Sequence, residues 1–169
     1  MRGLAIVPVL VAALLAYGPA AADSQAHATS AHEQKVSKKK IRAGPDKPFG
    51  REGDPRKVKR VIRIDMSDAM RFFPSEIRVK RGDTVRLAVR NSGELPHGLT
   101  LGTMEELKKH ANLVRNNGEI DQGGTHVAHV QPGATGRIVW QFTKAGEFYY
   151  GCLVPGHFEA GMIGTIVVR

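Results

Sequence analysis

No second cysteine accompanies Cys152 in this 169-residue sequence. An internal disulfide is therefore excluded. In an oxidising compartment the thiol must be buried and inert, joined to another chain, or bound to metal. No long apolar run occurs beyond residue 22, so the rest of the chain carries no membrane-spanning segment. There is no internal repeat. No serine–histidine–aspartate or paired-carboxylate arrangement stands out, which points away from an enzyme. Acidic residues are scarce, 16 against 25 lysines and arginines, and the formal net charge is +9.

What is present begins with an export signal. Arg2 supplies a short positive region, residues 4–15 form an apolar run broken only by Pro8, and Ala20, Ala21 and Ala22 supply the small residues of a cleavage site. The run is shorter than the roughly 20 residues that span a bilayer. No cysteine follows it and no twin arginine precedes it, so the general secretory route is indicated, without a lipid anchor. Residues 1–22 are expected to be a cleaved signal peptide and the protein to be periplasmic. About 147 residues remain (169 less 22), enough for one domain with a proper core.

Residues 23–57 carry Lys35, Lys38, Lys39, Lys40, Arg42, Lys47, Arg51, Arg56 and Lys57 against five acidic residues, with Pro45, Pro48 and Pro55 interspersed. Without apolar periodicity, this stretch reads as a flexible basic extension. It could steer the protein toward acidic surfaces or anionic lipid. Export argues against nucleic acid as a partner.

From residue 58 the pattern is that of a β-domain. Residues 61–66 alternate imperfectly as a strand. Residues 73–79 form a second, interrupted by Pro74, so part of it belongs at an edge or a bulge. Residues 84–91 follow the Arg81-Gly82-Asp83 turn, with Val85, Leu87 and Val89 on one face and Thr84, Arg86 and Arg90 on the other. Residues 97–101 form a short strand. Thr103 and Glu106 have capping-box spacing. Met104, Leu107, Ala111 and Val114 recur at helical intervals, predicting a helix that ends by Asn116-Asn117-Gly118. Residues 125–130 read as a strand, 137–142 and 147–152 as a hairpin pair around Lys144-Ala145-Gly146, and 164–169 as the closing strand. Short strands, frequent turns and one inserted helix predict an all-β fold, a β-sandwich over residues 58–169.

The chemistry concentrates in Cys152-Leu-Val-Pro-Gly-His157-Phe-Glu-Ala-Gly-Met162. A thiol, an imidazole and a thioether stand there with C-x4-H-x4-M spacing between two expected strands. Pro96-His97-Gly98, far upstream, offers a second imidazole. Two histidines, a cysteine and a weak axial methionine make up the ligand set of a mononuclear electron-transfer copper site. Zinc is the rival, since one cysteine, two histidines and water make a catalytic zinc site. It would leave Met162 unexplained. Pro96 and Pro155 restrict the backbone beside ligands, and Gly156 and Gly161 permit unusual angles there. A loop anchored by strands at both ends is stiff, which suits an ion that changes charge without rearranging its ligands.

The run Gly146-Glu-Phe-Tyr-Tyr-Gly-Cys-Leu-Val-Pro-Gly-His-Phe-Glu-Ala-Gly-Met-Ile-Gly-Thr-Ile-Val-Val168 resembles the copper-binding end of the cupredoxins, the plastocyanin and azurin superfamily. Asn91-Ser-Gly-Glu-Leu-Pro-His97 resembles their first-ligand region. The inserted helix and Gln141-Phe-Thr-Lys-Ala-Gly-Glu-Phe148 are most similar to bacterial periplasmic cupredoxins linked to copper tolerance. The resemblance covers roughly residues 58–169. It implies a Greek-key β-sandwich with copper near one end. It also implies that His97, Cys152 and His157 are strong equatorial ligands and Met162 a weak axial one. Two departures stand out. Plastocyanin-like proteins usually have two residues between the cysteine and histidine where four stand here. Many members also carry asparagine or glutamate where Gly98 stands, a side chain that often helps brace the cysteine loop.

Two roles follow from one ligand set. As a single-electron carrier, the protein would pass electrons through His157 to a cytochrome or copper oxidase docked on an apolar rim of Leu153, Val154, Pro155 and Phe158. As a copper-tolerance protein, it would hold the ion through the same residues. An oxidase or nitrite reductase needs a second copper or an open coordination position, and the sequence offers neither. His126 and His129 lie three apart on an expected strand and so point to opposite faces. Met66 and Met70, and His27 and His32 in the extension, are weaker places for additional copper; for the methionines, as for Trp140, core packing is the first expectation.

Overall fold

The computed structural model describes residues 45–118 and 123–169. The expected signal peptide, His27, His32 and most of the basic extension lie outside them. Alternation organises the first sheet. In β5 (Thr84–Asn91) Val85, Leu87 and Val89 are buried, while Arg86, Ala88 and Arg90 alternate with them on the other face. This strand pairs in parallel with β2 (Val58–Ser67) and antiparallel with β8 (Thr135–Gln141). β1 (Arg51–Glu52) and β3 (Arg71–Phe73) close the edges in the order β1-β8-β5-β2-β3. The second sheet runs β4-β10-β9-β6-β7, with β4 at Glu76–Val79, β6 at His97–Gly102, β7 at Val127–Val130, β9 at Gly146–Gly151 and β10 at Ile163–Val168. The inner faces meet in a core that includes Ile64, Leu87, Leu99, Trp140, Tyr150 and Ile166. This is the expected β-sandwich.

Pro74 breaks residues 73–79 as anticipated. β3 sits at the edge of one sheet and β4 at the edge of the other, with a cis Phe73–Pro74 peptide between them. Residues 137–142 and 147–152, however, do not form a hairpin. β8 pairs with β5 and β1, whereas β9 pairs with β10 and β6. Both strands carry an apolar inward face, Ile138 and Trp140 on one and Phe148 and Tyr150 on the other. Placing them in opposite layers buries both faces, and the fully buried Phe142 lies on the crossing.

The helix α1 (Met104–Asn117) has the anticipated capping box between Thr103 and Glu106 and ends at Gly118 in the left-handed conformation, φ 68°. Leu107 and Ala111 pack with Leu153 and Phe158 in a second apolar cluster. The helix contacts β6 and β9, with Leu107 beside Gly102, and every residue of β6 is buried. Among the described residues no helix is long and apolar enough to cross a membrane.

Two local readings change. The strand expected over residues 125–130 begins at Val127, after a turn closed by Val127 N–H donating to Gly124 O at 3.1 Å. His126 therefore leaves the strand. Its ring is buried 5.9 Å from that of Phe49 and 6.1 Å from that of Trp140. Ordered packing also starts before residue 58. Phe49 is 1% exposed, stacks on Trp140 at 5.2 Å, and accepts a hydrogen bond from Trp140 Nε1 at 2.9 Å. Arg51 and Glu52 then pair with β8, and Asp54 caps a short 3-10 turn, Pro55–Lys57. A lone aromatic inside a charged stretch gives no periodic signal, so this anchor is invisible to pattern reading.

Deleting a buried aromatic ring leaves a cavity. Phe49→Ala is expected to lower the unfolding free energy by about 3–5 kcal/mol in urea titrations, whereas Lys57→Ala should stay within about 0.5 kcal/mol. Equal, small effects would mean that the segment before β2 adds nothing to the domain.

Candidate metal centre

The pairing of β6 with β9, in which Thr100 faces Gly151, brings the start of one strand beside the end of the other. His97 opens β6 and Cys152 follows β9, so residues 55 apart in sequence (152 less 97) become neighbours. The following loop is folded by its own backbone. His157 N–H donates to Val154 O, Ala160 N–H to Gly156 O and Met162 N–H to His157 O, each at 3.0 Å. Cys152 N–H donates to Met162 O at 3.1 Å and closes the loop. Gly156 and Gly161 hold φ of 83° and 85°, left-handed angles that a side chain would strain.

Three donor atoms converge. His97 Nδ1 lies 3.2 Å from His157 Nδ1, and Cys152 Sγ lies 3.5 Å from His157 Nδ1 and 4.0 Å from His97 Nδ1. A first-row ion about 2.0–2.1 Å from imidazole nitrogen and about 2.3 Å from thiolate needs donor separations of roughly 3.5–3.8 Å in a trigonal plane. The observed triangle brackets that range. Among the described residues, His97, Cys152 and His157 are the one group of histidine, cysteine and carboxylate side chains gathered closely enough to hold a metal. Met162 is fully buried and tied by its backbone to Cys152 and His157. Cys152 is fully buried and His97 1% exposed, whereas His157 is half-buried and forms the opening.

The surroundings set the chemistry of each donor. Asp68 Oδ1 sits 3.0 Å from His97 Nε2 and accepts the Leu95 N–H at 3.2 Å, while Oδ2 accepts the Glu94 N–H at 2.7 Å. The backbone N–H of Glu94, and then His97, hold the Asp68 carboxyl below its ordinary value. An ionised carboxylate only accepts, so the proton of His97 resides on Nε2 and the Nδ1 lone pair faces the cluster. Gly98 N–H donates to Cys152 Sγ at 3.4 Å. The bracing that a side chain at position 98 would supply therefore comes from the main chain. Asn91, fully buried, donates to Leu95 O at 2.8 Å and Val130 O at 3.0 Å and accepts the Gly93 N–H at 2.9 Å, which fixes the approach to His97.

Asp68 was not legible as a site residue. It stands 29 residues before His97 in a turn with no motif. Asn91 had a weak signal, as the residue opening an Asn-Ser-Gly turn. The apolar rim is also revised. Leu153 and Phe158 are buried beneath α1, because the inserted helix needs an apolar seat. Pro155 and Leu95 remain exposed and Val154 is half-buried. Met66 is a core residue and Met70 packs against the core. His126 and His129 stand apart from the cluster.

A buried thiol, two inward-facing imidazoles and a methionine at one end of a β-sandwich define a cupredoxin. Residues 57–169 match the model of the copper binding proteins of the plastocyanin/azurin family, and the chain belongs to that family. It is 50% identical over 124 residues to the copper-resistant cuproprotein CopI of Rubrivivax gelatinosus, across 73% of this chain and 75% of that relative. A protein of the same name from Vibrio cholerae serotype O1 is 30% identical over 111 residues, 65% of this chain and 66% of the relative. In three dimensions the chain is similar to reduced auracyanin from Roseiflexus castenholzii, with a TM-score of 0.58 and 18% identity, over 66% of this chain and 98% of that one. That last likeness is one of fold. Copper is thus the metal of this family, and the donors present fit it.

Burial pushes the Cys152 thiol above its ordinary 9.0, partly offset by the N–H groups of Val154 and Gly98. Burial, and then the neighbouring His97, hold His157 below its ordinary 6.5. In the metal-free protein the raised thiol contributes stability below pH 9.0 that is lost as pH rises through its folded value. The depressed imidazole contributes stability above pH 6.5 that is lost as pH falls through its folded value. The metal-free protein should therefore melt highest between about pH 6.5 and 9.0. In thermal melts across pH, Cys152→Ser should flatten the alkaline limb and His157→Gln the acid limb. Limbs unchanged in these variants would contradict the assignment.

Proposed function

We propose that this protein binds one copper ion in the periplasm, with His97, Cys152 and His157 as strong ligands and Met162 as a weak axial one, and that it serves copper tolerance rather than catalysis. The observation that carries this reading is the triangle of two Nδ1 atoms and one Sγ within 4.0 Å of one another, in a pocket whose sulfur is fully buried. Bound copper supplies one-electron redox chemistry at such a donor set. The protein's part is to hold the donors still. Asp68 orients His97, the Gly98 N–H and burial hold the Cys152 sulfur, and the backbone bonds of the loop fix His157. The tolerance role is supported by the name carried by relatives at 50% and 30% identity.

A specific observation favours a second reading, that of a single-electron carrier. His157 is the half-open ligand, and exposed Pro155 and Leu95 lie near it in sequence or beside the His97 approach. A cytochrome or copper oxidase could dock there.

Loaded with Cu(II), the protein should show an intense thiolate-to-copper band in the visible spectrum that Cys152→Ala lacks; a colourless wild-type protein would overturn the redox site. Asp68→Ala should weaken copper binding by about 10–100-fold in chelator competition, with partial recovery in Asp68→Asn, whose amide oxygen still accepts. Cells lacking the gene should become copper-sensitive with respiration intact. Impaired electron flux without sensitivity would instead select the carrier.

A further inference from the structure

We propose that the outer face of the first sheet is a docking surface for an acidic protein partner, gripped by four arginines arranged as a diamond around Ala88. The register builds the diamond. Ala88 on β5 faces Arg63 on β2 to one side and Arg137 on β8 to the other, each about 5 Å away between strands. Arg86 and Arg90 lie two residues along β5 in either direction, roughly 7 Å from Ala88. Alternation places all four with Ala88 on the face opposite the core residues Val85, Leu87 and Val89. The small side chain at the centre leaves room between the guanidinium groups.

These arginines lack the partners that others have. Arg51 pairs with Asp46, Arg56 with Asp54, Arg78 with Glu76 and Arg115 with Glu159. Among the described residues none of Arg63, Arg86, Arg90 and Arg137 makes a side-chain hydrogen bond or ion pair, and Arg86 Nε is buried with no hydrogen-bond partner. The three rows Val61-Arg86-Val139, Arg63-Ala88-Arg137 and Asp65-Arg90-Thr135 hold one carboxylate against four cations. That carboxylate, on Asp65, accepts the Ser92 hydroxyl. Like charges so close repel one another, and an incoming anionic group relieves that repulsion.

The remaining composition selects a protein as occupant. All four cations are arginine, whose planar fork binds carboxylates in pairs. Val61 is 42% and Phe73 80% exposed on the same sheet, and a shallow groove of about 480 Å³ runs between Arg63, Arg90, Phe73 and Pro74. Arginine with exposed aromatic and aliphatic side chains is the composition of a protein interface. Phe73 pairs with Asp65, three residues before Asp68, so a partner seated here lies close along the chain to the turn that hydrogen-bonds His97.

The test uses the copper-loaded full chain and three probes: a short peptide of alternating glutamate and leucine, vesicles of phosphatidylglycerol in phosphatidylcholine, and inorganic phosphate. The double variant Arg63→Gln with Arg137→Gln should weaken peptide binding on the order of tenfold in titration calorimetry. Lys108→Gln with Lys109→Gln removes the same charge from α1 and should change it by no more than about twofold. Equal losses in both double variants would reduce the effect to net charge and overturn the proposal. So would vesicle or phosphate binding that depends on the two arginines while peptide binding does not, and so would a peptide that fails to bind.

Discussion

The register between β6 and β9 is the constraint on which the rest of the centre depends. Thr100 opposite Gly151 sets His97 beside Cys152 and puts the Gly98 N–H on the sulfur. A slip of one residue would turn each side chain of β6 to the other face of the sheet. His97 would then turn away from Cys152. The register is well defended because β6 is buried on both faces. Leu99 and Leu101 face the sandwich core, and a one-residue slip would take both out of it.

Around this pair the β2–β3 turn works as an outer clamp. Asp68 holds the segment leading to His97, through two backbone N–H groups and the imidazole itself. Three residues on, Arg71 donates to Ala160 O at 3.1 Å, inside the loop that carries His157. One short turn therefore touches both donor-bearing segments. Gly93 must be small because an added Cβ would lie 2.0 Å from Asp68 Oδ1. The clamp and the segment it holds are fitted to each other.

What the sequence disclosed followed from periodicity and spacing. The alternation of β5, the capping box of α1 and the short Cys152–His157–Met162 loop are local patterns, and the structure has each in place. His97 is legible as the upstream imidazole that a thiol, an imidazole and a thioether in one loop still lack, and its Asn91-to-His97 setting resembles a known first-ligand region. What stayed hidden is non-local. Nothing near Asp68 says that its carboxylate will meet His97, and nothing near Phe49 says that Trp140 will accept its ring. The loop at Lys144-Ala145-Gly146 is ambiguous for the same reason. A short turn between two apolar strands suits a hairpin and a crossing between layers equally, and only the pairing of the whole sheet decides.

The hydrogen bond on the Cys152 sulfur comes from a main-chain N–H, and this bears on how the protein can vary over generations. A side-chain donor is lost by any of many codon changes. The Gly98 N–H survives every substitution at its position except proline. The position is nevertheless confined, since a Cβ there would stand 3.2 Å from Ala128 O. The sulfur's donor is thus independent of side-chain identity, whereas the partner of the imidazole is a side chain that substitution can remove. A substitution at Asp68 would therefore change the imidazole side alone, while the sulfur keeps its main-chain donor.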